Sequence, residues 1–298
     1  MAFDFQSYIK KMKIKPSTRV SLKKFRTDFK DIKLSKSVGA TILQDGIKKL
    51  ARLQDKLYAH DEYSVLIVLQ AMDAAGKDSV IKHVMSGLNP QGVKVTSFKV
   101  PTSAELDHDF FWRHYIALPS RGEIGIFNRS HYENVLVTKI HPEFILSEKL
   151  PKIKTLKDIN DKFWEERYKQ INRFEKNLAE NGTIILKFFL HLSKGEQKKR
   201  FIERIDDPSK NWKFSMGDLK ERERWDDYQE AYEQMITKTS TEYAPWYIVP
   251  ADDKWFTRVA IAGIIDMEFQ KLNFTYPEVT REQKAELLNA KRTLEREK

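Results

Sequence analysis

The stretch Ser64-Val65-Leu66-Ile67-Val68-Leu69-Gln70-Ala71-Met72-Asp73-Ala74-Ala75-Gly76-Lys77-Asp78-Ser79 decides how the chain is read: an apolar run ends in a small-residue turn and a Gly-Lys pair. A run of this kind bounded by a turn predicts a buried parallel strand, and Val80, Ile81, Val84, Met85 and Leu88 recur behind it at helical spacing. Strand, loop and helix in this order make a cradle for phosphate. Small residues let the backbone approach an anion, the helix N-terminus offers unpaired N–H groups, and Lys77 can reach the outer phosphoryl oxygens. Against the pattern G-x-x-x-x-G-K-[ST], Ala71 stands at the first glycine and Asp78 at the metal-binding hydroxyl, while Asp73 offers a carboxylate inside the loop. A buried strand followed by an ordinary turn also fits this stretch taken alone, so the remainder of the chain decides.

With 298 residues, 41% hydrophobic and 12% aromatic, the chain can bury a full core as one large domain or two small ones. No apolar run approaches the roughly 18 residues of a membrane span, and Met1-Ala2-Phe3-Asp4-Phe5 has no positive segment followed by an apolar core. A cytoplasmic protein without a membrane partner is expected. The absence of cysteine excludes a disulfide framework, a thiolate metal site and a cysteine nucleophile. The net charge of +10, from 53 Lys and Arg against 43 Asp and Glu, favours a polyanionic partner. Nucleic acid is not the expected one, because no interleaved aromatic-basic recognition motif is present.

The first 36 residues are basic and weakly periodic, as in Lys10-Lys11-Met12-Lys13 and Lys23-Lys24-Phe25-Arg26, and are expected to wrap the domain or reach a partner. Ile42, Leu43, Ile47, Leu50, Leu53 and Leu57 then share one helical face. Beyond the loop the pattern predicts strands at 93–98, 124–127, 183–190 and 246–249, and helices at 104–116, 156–180 and 255–272. Asn181-Gly182 closes the long helix. Together these predict an α/β fold with a parallel sheet flanked by helices.

A basic helical segment interrupts it, starting at Ser193-Lys194-Gly195-Glu196 with capping-box spacing, breaking at Asp206-Asp207-Pro208, and resuming near Ser215. At this position it reads as a lid over the strand C-terminal ends. The expected organisation is an arm and helix at 1–60, a core at 61–192 and 244–272, a lid at 193–243, and a polar tail at 273–298.

Phosphoryl transfer needs amides that cradle phosphate, cations spread over the transferred group, and carboxylates that hold magnesium. Lys77 is the cradle lysine, Asp73 the nearest metal carboxylate, and Arg129, directly after the third strand, a clamp for developing charge. Lys199, Arg200, Arg204, Lys210 and Lys213 on the lid can close over phosphate, although each also suits a solvated helix face. His131 beside Ser130 is not a nucleophilic pair, since sequence neighbours do not face one another and no Gly-x-Ser-x-Gly elbow is present. Asp226-Asp227 is a weak further candidate.

Met72-Asp73-Ala74-Ala75-Gly76-Lys77-Asp78, Leu88-Asn89-Pro90-Gln91-Gly92, Phe127-Asn128-Arg129-Ser130-His131-Tyr132-Glu133, Asp206-Asp207-Pro208 with Trp212-Lys213, Ala244-Pro245-Trp246-Tyr247 and Pro250-Ala251-Asp252-Asp253-Lys254 occur in order. In these motifs the chain resembles the polyphosphate kinase 2 family from about residue 20 to about residue 272. The resemblance implies a thymidylate-kinase-like P-loop fold with a helical lid, and magnesium-assisted phosphoryl transfer between inorganic polyphosphate and AMP, ADP or ATP, with manganese as a substitute metal. It implies that Ala74, Ala75, Gly76, Lys77, Asp78, Asn128 and Arg129 bind nucleotide or phosphate, that Arg200 and Arg204 are lid arginines, and that Asp73, Lys77, Arg129 and Glu133 are catalytic.

Many members carry Asp-Arg-Ser-Trp-Tyr after the third strand. Here Asn128 replaces the Asp and Glu133 follows, a pattern resembling the subgroup that phosphorylates both AMP and ADP. An amide lacks the anionic oxygen a hard cation favours, so Glu133 joins Asp73 as a metal ligand. The basic excess then serves a polyanion groove that includes Lys82, Arg113, Lys199, Arg200 and Arg204. An ATP-dependent nucleoside monophosphate kinase is the alternative. A homo-oligomer is expected from the helical N-terminal region and several aromatic residues.

Overall fold

Every residue of β1 (Ser64–Ala71) is buried. In the computed structural model, which describes residues 5–29, 36–272 and 274–297, this strand is the centre of a five-stranded sheet. The others are β2 (Val93–Ser97), β3 (Ile124–Asn128), β4 (Thr183–His191) and β5 (Trp246–Pro250), all parallel in the order β2-β3-β1-β4-β5. Leu69 lies opposite Asn128 and Ala71 opposite Leu190, so the loops leaving β1, β3 and β4 emerge side by side.

The helices are α1 (Phe5–Lys10), α2 (Lys36–His60), α3 (Lys77–Val84), α4 (Ser103–Leu106), α5 (Trp112–Tyr115), α6 (Val137–Ile140) and α7 (Glu143–Leu146). They continue with α8 (Asp161–Glu180), α9 (Lys194–Asp206), α10 (Met216–Glu223), α11 (Trp225–Thr239), α12 (Lys254–Phe269) and α13 (Arg281–Arg296). Side chains alternate across β1 as a strand requires. Leu66 and Val68 join Ile171 and Phe174 of α8 and Met235 and Ile236 of α11. Val65, Ile67 and Leu69 join Leu50 and Leu57 of α2, Val80 and Val84 of α3, and Ile261 and Ile265 of α12. The sheet is therefore covered on both faces, as its uninterrupted apolar strands demand.

Local hydrogen bonds shorten two expected helices. The helix expected at 104–116 is two single turns: a Thr102–Glu105 capping box starts α4, and Asp109 Oδ1 accepts from the Phe111 amide at 2.9 Å to start a separate turn. The long helix begins at Asp161, not near 156, because the Asn160 side chain caps it through the Phe163 amide while Asp158 closes a separate 3-10 turn. Gly182 ends the succession with φ of 88°, a left-handed value that suits glycine.

The arm is part of the core. Ile9, Met12, Ile14, Val20 and Leu22 are buried, and the Ile14 amide donates to the Trp246 carbonyl at 2.8 Å while Ile248 donates to Met12 at 2.9 Å. These bonds cover the open edge of β5, which would otherwise offer unpaired backbone groups. The parts of the expected arm at 1–4 and 30–35 lie outside the described residues, as do Asn273 and Lys298 of the tail. Within the tail α13 is exposed along its length, and no helix among the described residues is long and apolar enough to cross a membrane.

Candidate active site

The loop between β1 and α3 is held in a shape its sequence does not favour. Gly76 has φ of 106° and Ala74 φ of 62°; Arg129, after β3, has φ of 63°. A left-handed conformation is easy for glycine and costs a non-glycine residue about 1 kcal/mol or more, so two strained residues side by side mark a site the fold over-determines. Sequence reading could not see this strain, because neither Ala nor Arg advertises it. The Arg129 amide donates to the Leu69 carbonyl at 3.2 Å, which ties the turn after β3 to the end of β1.

Lys77 is buried, with its Nζ 2.9 Å from the Ala71 carbonyl. Burial lowers its pKa and Arg129 adds to the effect, while Asp73, Glu133 and Asp78 oppose it. Arg129 Nη2 lies 3.0 Å from Asp73 Oδ1. Burial works against its charge, but Glu133 and Asp73 outweigh that and raise its pKa. Glu133 is pushed the other way: burial holds its carboxyl above the ordinary glutamate value, against the pull of Arg129 and Lys77. The Asn128 amide donates to Asp78 Oδ1 at 2.8 Å. Thus Asp73, Lys77, Asp78, Asn128, Arg129 and Glu133 converge at the ends of β1 and β3.

The turn carrying Arg129 and Glu133 is anchored from below. Lys187 Nζ donates to Glu175 Oε2 at 2.6 Å, to the Tyr132 hydroxyl at 2.8 Å and to the Thr239 carbonyl at 2.7 Å, and all these groups are buried. Glu175 Oε1 accepts from Tyr132 at 2.7 Å and lies 3.2 Å from His131 Nε2. His131 is therefore part of a structural frame, and burial lowers its pKa. Ser130 Oγ is a partner of Gln70 and of the Tyr132 amide, so the two form no nucleophilic pair.

The cations expected on the lid separate into two kinds. Arg200 is 4% exposed: its Nε meets Glu196, Nη1 donates to the Ala74 and Ala75 carbonyls, and Nη2 to those of Ala251 and Asp252, all within 3.0 Å. All five donors of the guanidinium are engaged by the protein. In this arrangement it braces the loop from behind. Gln197 adds to it by donating to the Asp73 carbonyl at 3.0 Å. Lys199, Lys210 and Lys213 are exposed; Lys210 pairs with Asp207, and Lys213 lies 5.0 Å over the Trp212 ring. Arg204 stands 3.8 Å from Asp218 on α10.

Asp218, the partner of Arg204 at 3.8 Å, is a carboxylate that the sequence pattern does not single out for the site. Burial and Asp73 raise its pKa while Arg204, Arg129 and Lys77 lower it, which places the carboxylate in the field of the loop. Only its spacing from Ser215 singles it out in the sequence, and that signal concerns capping. Asp226 is exposed and Asp227 pairs with Arg224, so neither joins the cluster.

Beside Arg129 and Glu133 a cavity of about 270 Å³ opens, lined also by Phe98, Pro101, Phe110 and Arg113. Arg113 is held there by Glu105 at 3.3 Å, the Lys99 carbonyl at 3.0 Å and the Phe98 ring at 5.1 Å. Lys82 is exposed on α3. An apolar slot that meets a guanidinium, a carboxylate and a phosphate loop suits a nucleoside phosphate.

A parallel sheet in the order 2-3-1-4-5 with this loop after its central strand defines a P-loop phosphotransferase. The chain belongs to the polyphosphate kinase 2 family, whose description matches residues 33–275. It is 47% identical over 285 residues to an ADP-polyphosphate phosphotransferase of Rhodopseudomonas palustris, covering 96% of this chain and 98% of that one. It is 45% identical over 274 residues to an AMP/ADP-polyphosphate phosphotransferase of Meiothermus ruber, covering 91% and 96%. The crystal structure of polyphosphate kinase 2 from Arthrobacter aurescens superposes with a TM-score of 0.81 at 39% identity, covering 91% of this chain and 93% of that one.

Proposed function

We propose that the protein transfers the terminal phosphoryl group of inorganic polyphosphate to AMP and to ADP, giving ADP and ATP by direct, reversible, in-line transfer. The observation that carries this reading is the position of Arg129, between Asp73 of the phosphate loop and the cavity that holds Glu133. A phosphate of the acceptor nucleotide in that cavity faces a donor phosphate at Lys77 across one guanidinium. Lys77 and Arg129 spread the charge that develops in flight, and the buried frame around Glu175 and Lys187 keeps the turn from drifting.

Among the described residues no group of three or more His, Asp and Glu is arranged to hold a metal by itself. Magnesium is bound through one or two carboxylates together with substrate phosphates. Asp73, whose Oδ1 accepts from Arg129, and Glu133 are the ligands this chain supplies. A bound divalent cation neutralises phosphate charge there. Use of AMP rests on Asn128 and Glu133: the amide is committed to Asp78, and Glu133 provides the anionic oxygen on the acceptor side. Residues 61–192 and 244–272 are the kinase core. In the cover at 193–243, α9 is pinned to the loop as far as Arg200, so closure involves the segment beyond it.

The test mixes purified protein with magnesium, long-chain polyphosphate and AMP or ADP, and separates the nucleotides by chromatography. ADP followed by ATP from AMP is expected. ATP from ADP alone removes the argument from Asn128 and Glu133. Transfer from ATP to AMP without any from polyphosphate overturns the reading in favour of a monophosphate kinase.

A further inference from the structure

One arginine beside the phosphate loop has no anion. Arg258 of α12 is partly buried, its Nε is closed off from solvent without a hydrogen bond, and its Nη2 donates to the Ser79 hydroxyl at 2.7 Å. Burial lowers its pKa and no carboxylate offsets the effect. Every other partly or fully buried arginine among the described residues meets a carboxylate or carbonyl oxygen: Arg113 has Glu105, Arg129 Asp73, Arg167 Glu148, Arg200 Glu196, Arg204 Asp218, and Arg222 the Lys194 carbonyl. A guanidinium facing only a neutral hydroxyl, with its Nε closed off from solvent, has given up part of its hydration without a Coulombic return. It is poised for an anion from outside.

Its position says which anion. Ser79 lies in the first turn of α3, and its Cβ is 3.9 Å from where a Cβ on Gly76 would stand, so Arg258 flanks the phosphate loop. Lys82, one turn further along the same helix face, is exposed and has no ion pair among the described residues. The acceptor cavity is walled by segments that follow β2 and β3 and by no residue of α3 or α12, whereas α12 packs against α2 and α3. In-line transfer requires the donor chain to leave the reacting phosphate away from the acceptor.

We propose that Arg258, with the Ser79 hydroxyl and Lys82, forms a subsite for the inner phosphates of the polyphosphate donor, behind the terminal one held at Lys77. The subsite rests on the polyphosphate reading above. It makes the site two-sided: nucleotide enters over β3, and the donor chain leaves between α3 and α12.

The experiment compares wild type, Arg258→Met and Arg258→Lys in steady-state kinetics with long-chain polyphosphate and ADP. It adds direct titration of polyphosphate without nucleotide and a melting curve for each. Loss of one charge-assisted contact is worth about tenfold in affinity. Arg258→Met should raise KM for polyphosphate and weaken its titration by about that factor, with KM for ADP and kcat within about twofold, and Arg258→Lys should recover most of the loss. An unchanged KM for polyphosphate overturns the subsite. So does a rise shared equally by ADP, or a fall in kcat that tracks a lowered Tm. If wild type itself does not use polyphosphate, the functional reading falls and the donor assignment with it; if wild type does and Arg258→Met matches it, only the subsite falls.

Discussion

The turn after β3 and the first turns of α9 both place an arginine against the phosphate loop, and they use it in opposite ways. Arg129 keeps 43% of its side chain exposed, has one bonded carboxylate, and sits on strained backbone aimed at the cavity. Arg200 faces inward, with every donor closed on main-chain carbonyls and Glu196. The first has capacity left for a substrate. The second gives the loop its shape, because the carbonyls of Ala74 and Ala75 would otherwise point into a desolvated gap without donors. A cation near a phosphate site is thus a ligand only if its donors are free.

The sharpest test of the contrast is Arg129→Met. It should cut kcat by about 10³-fold, as loss of a charge-stabilising guanidinium does in phosphoryl transfer, while Tm moves little. Arg200→Met should do the reverse in kind: unsatisfied buried carbonyls cost about 3 kcal/mol together, which lowers Tm by about 5 °C in a chain of this size. Full stability with lost polyphosphate affinity in that variant would return Arg200 to the substrate groove.

Glu133→Gln should reduce the AMP reaction by about 10²-fold, since it removes a metal-facing charge without changing shape. An unaffected AMP rate sinks its proposed role. The raised pKa of Glu133 gives the contrast a pH dimension. The folded state keeps this proton to higher pH than the unfolded chain, so the associated stability is fully present below the unfolded value and is lost as pH rises through the folded one. Activity runs the other way, because the ionised carboxylate is the metal-facing form. In the metal-free protein the Glu133 carboxyl should therefore titrate above the ordinary glutamate pKa when followed by carboxyl NMR, and a value at or below it contradicts the burial argument.

The smallest effect belongs to the exposed lid lysines. Lys199→Ala or Lys213→Ala should each raise KM for polyphosphate by less than about threefold, because exposed charges are screened and mobile. A much larger effect would show that the cover closes further than α9 alone suggests.

Much of this architecture is legible in the order of residues. The uninterrupted apolar run of Val65 to Leu69 requires a strand buried on both faces, and Gly76-Lys77 behind it requires a loop opening a helix. The strand ends name Arg129 and Glu133, since neighbouring parallel strands release their loops at one edge. The helices at 104–116 and 156–180 depart from the boundaries their apolar period predicts, because single side-chain caps at Thr102 and Asn160, and the Asp109 turn between α4 and α5, outweigh that period.

The sequence by itself determined the parallel sheet, its phosphate loop and the residues at the exits of β1 and β3, because strand burial and turn chemistry are local and repeat at short range. Only the tertiary structure decided that Arg200 is a brace, that Asp218 enters the field of the loop, and that Arg258 lacks an anion. Those outcomes depend on which oxygens meet which donors across elements distant in the chain, and charge along a sequence carries no record of partners.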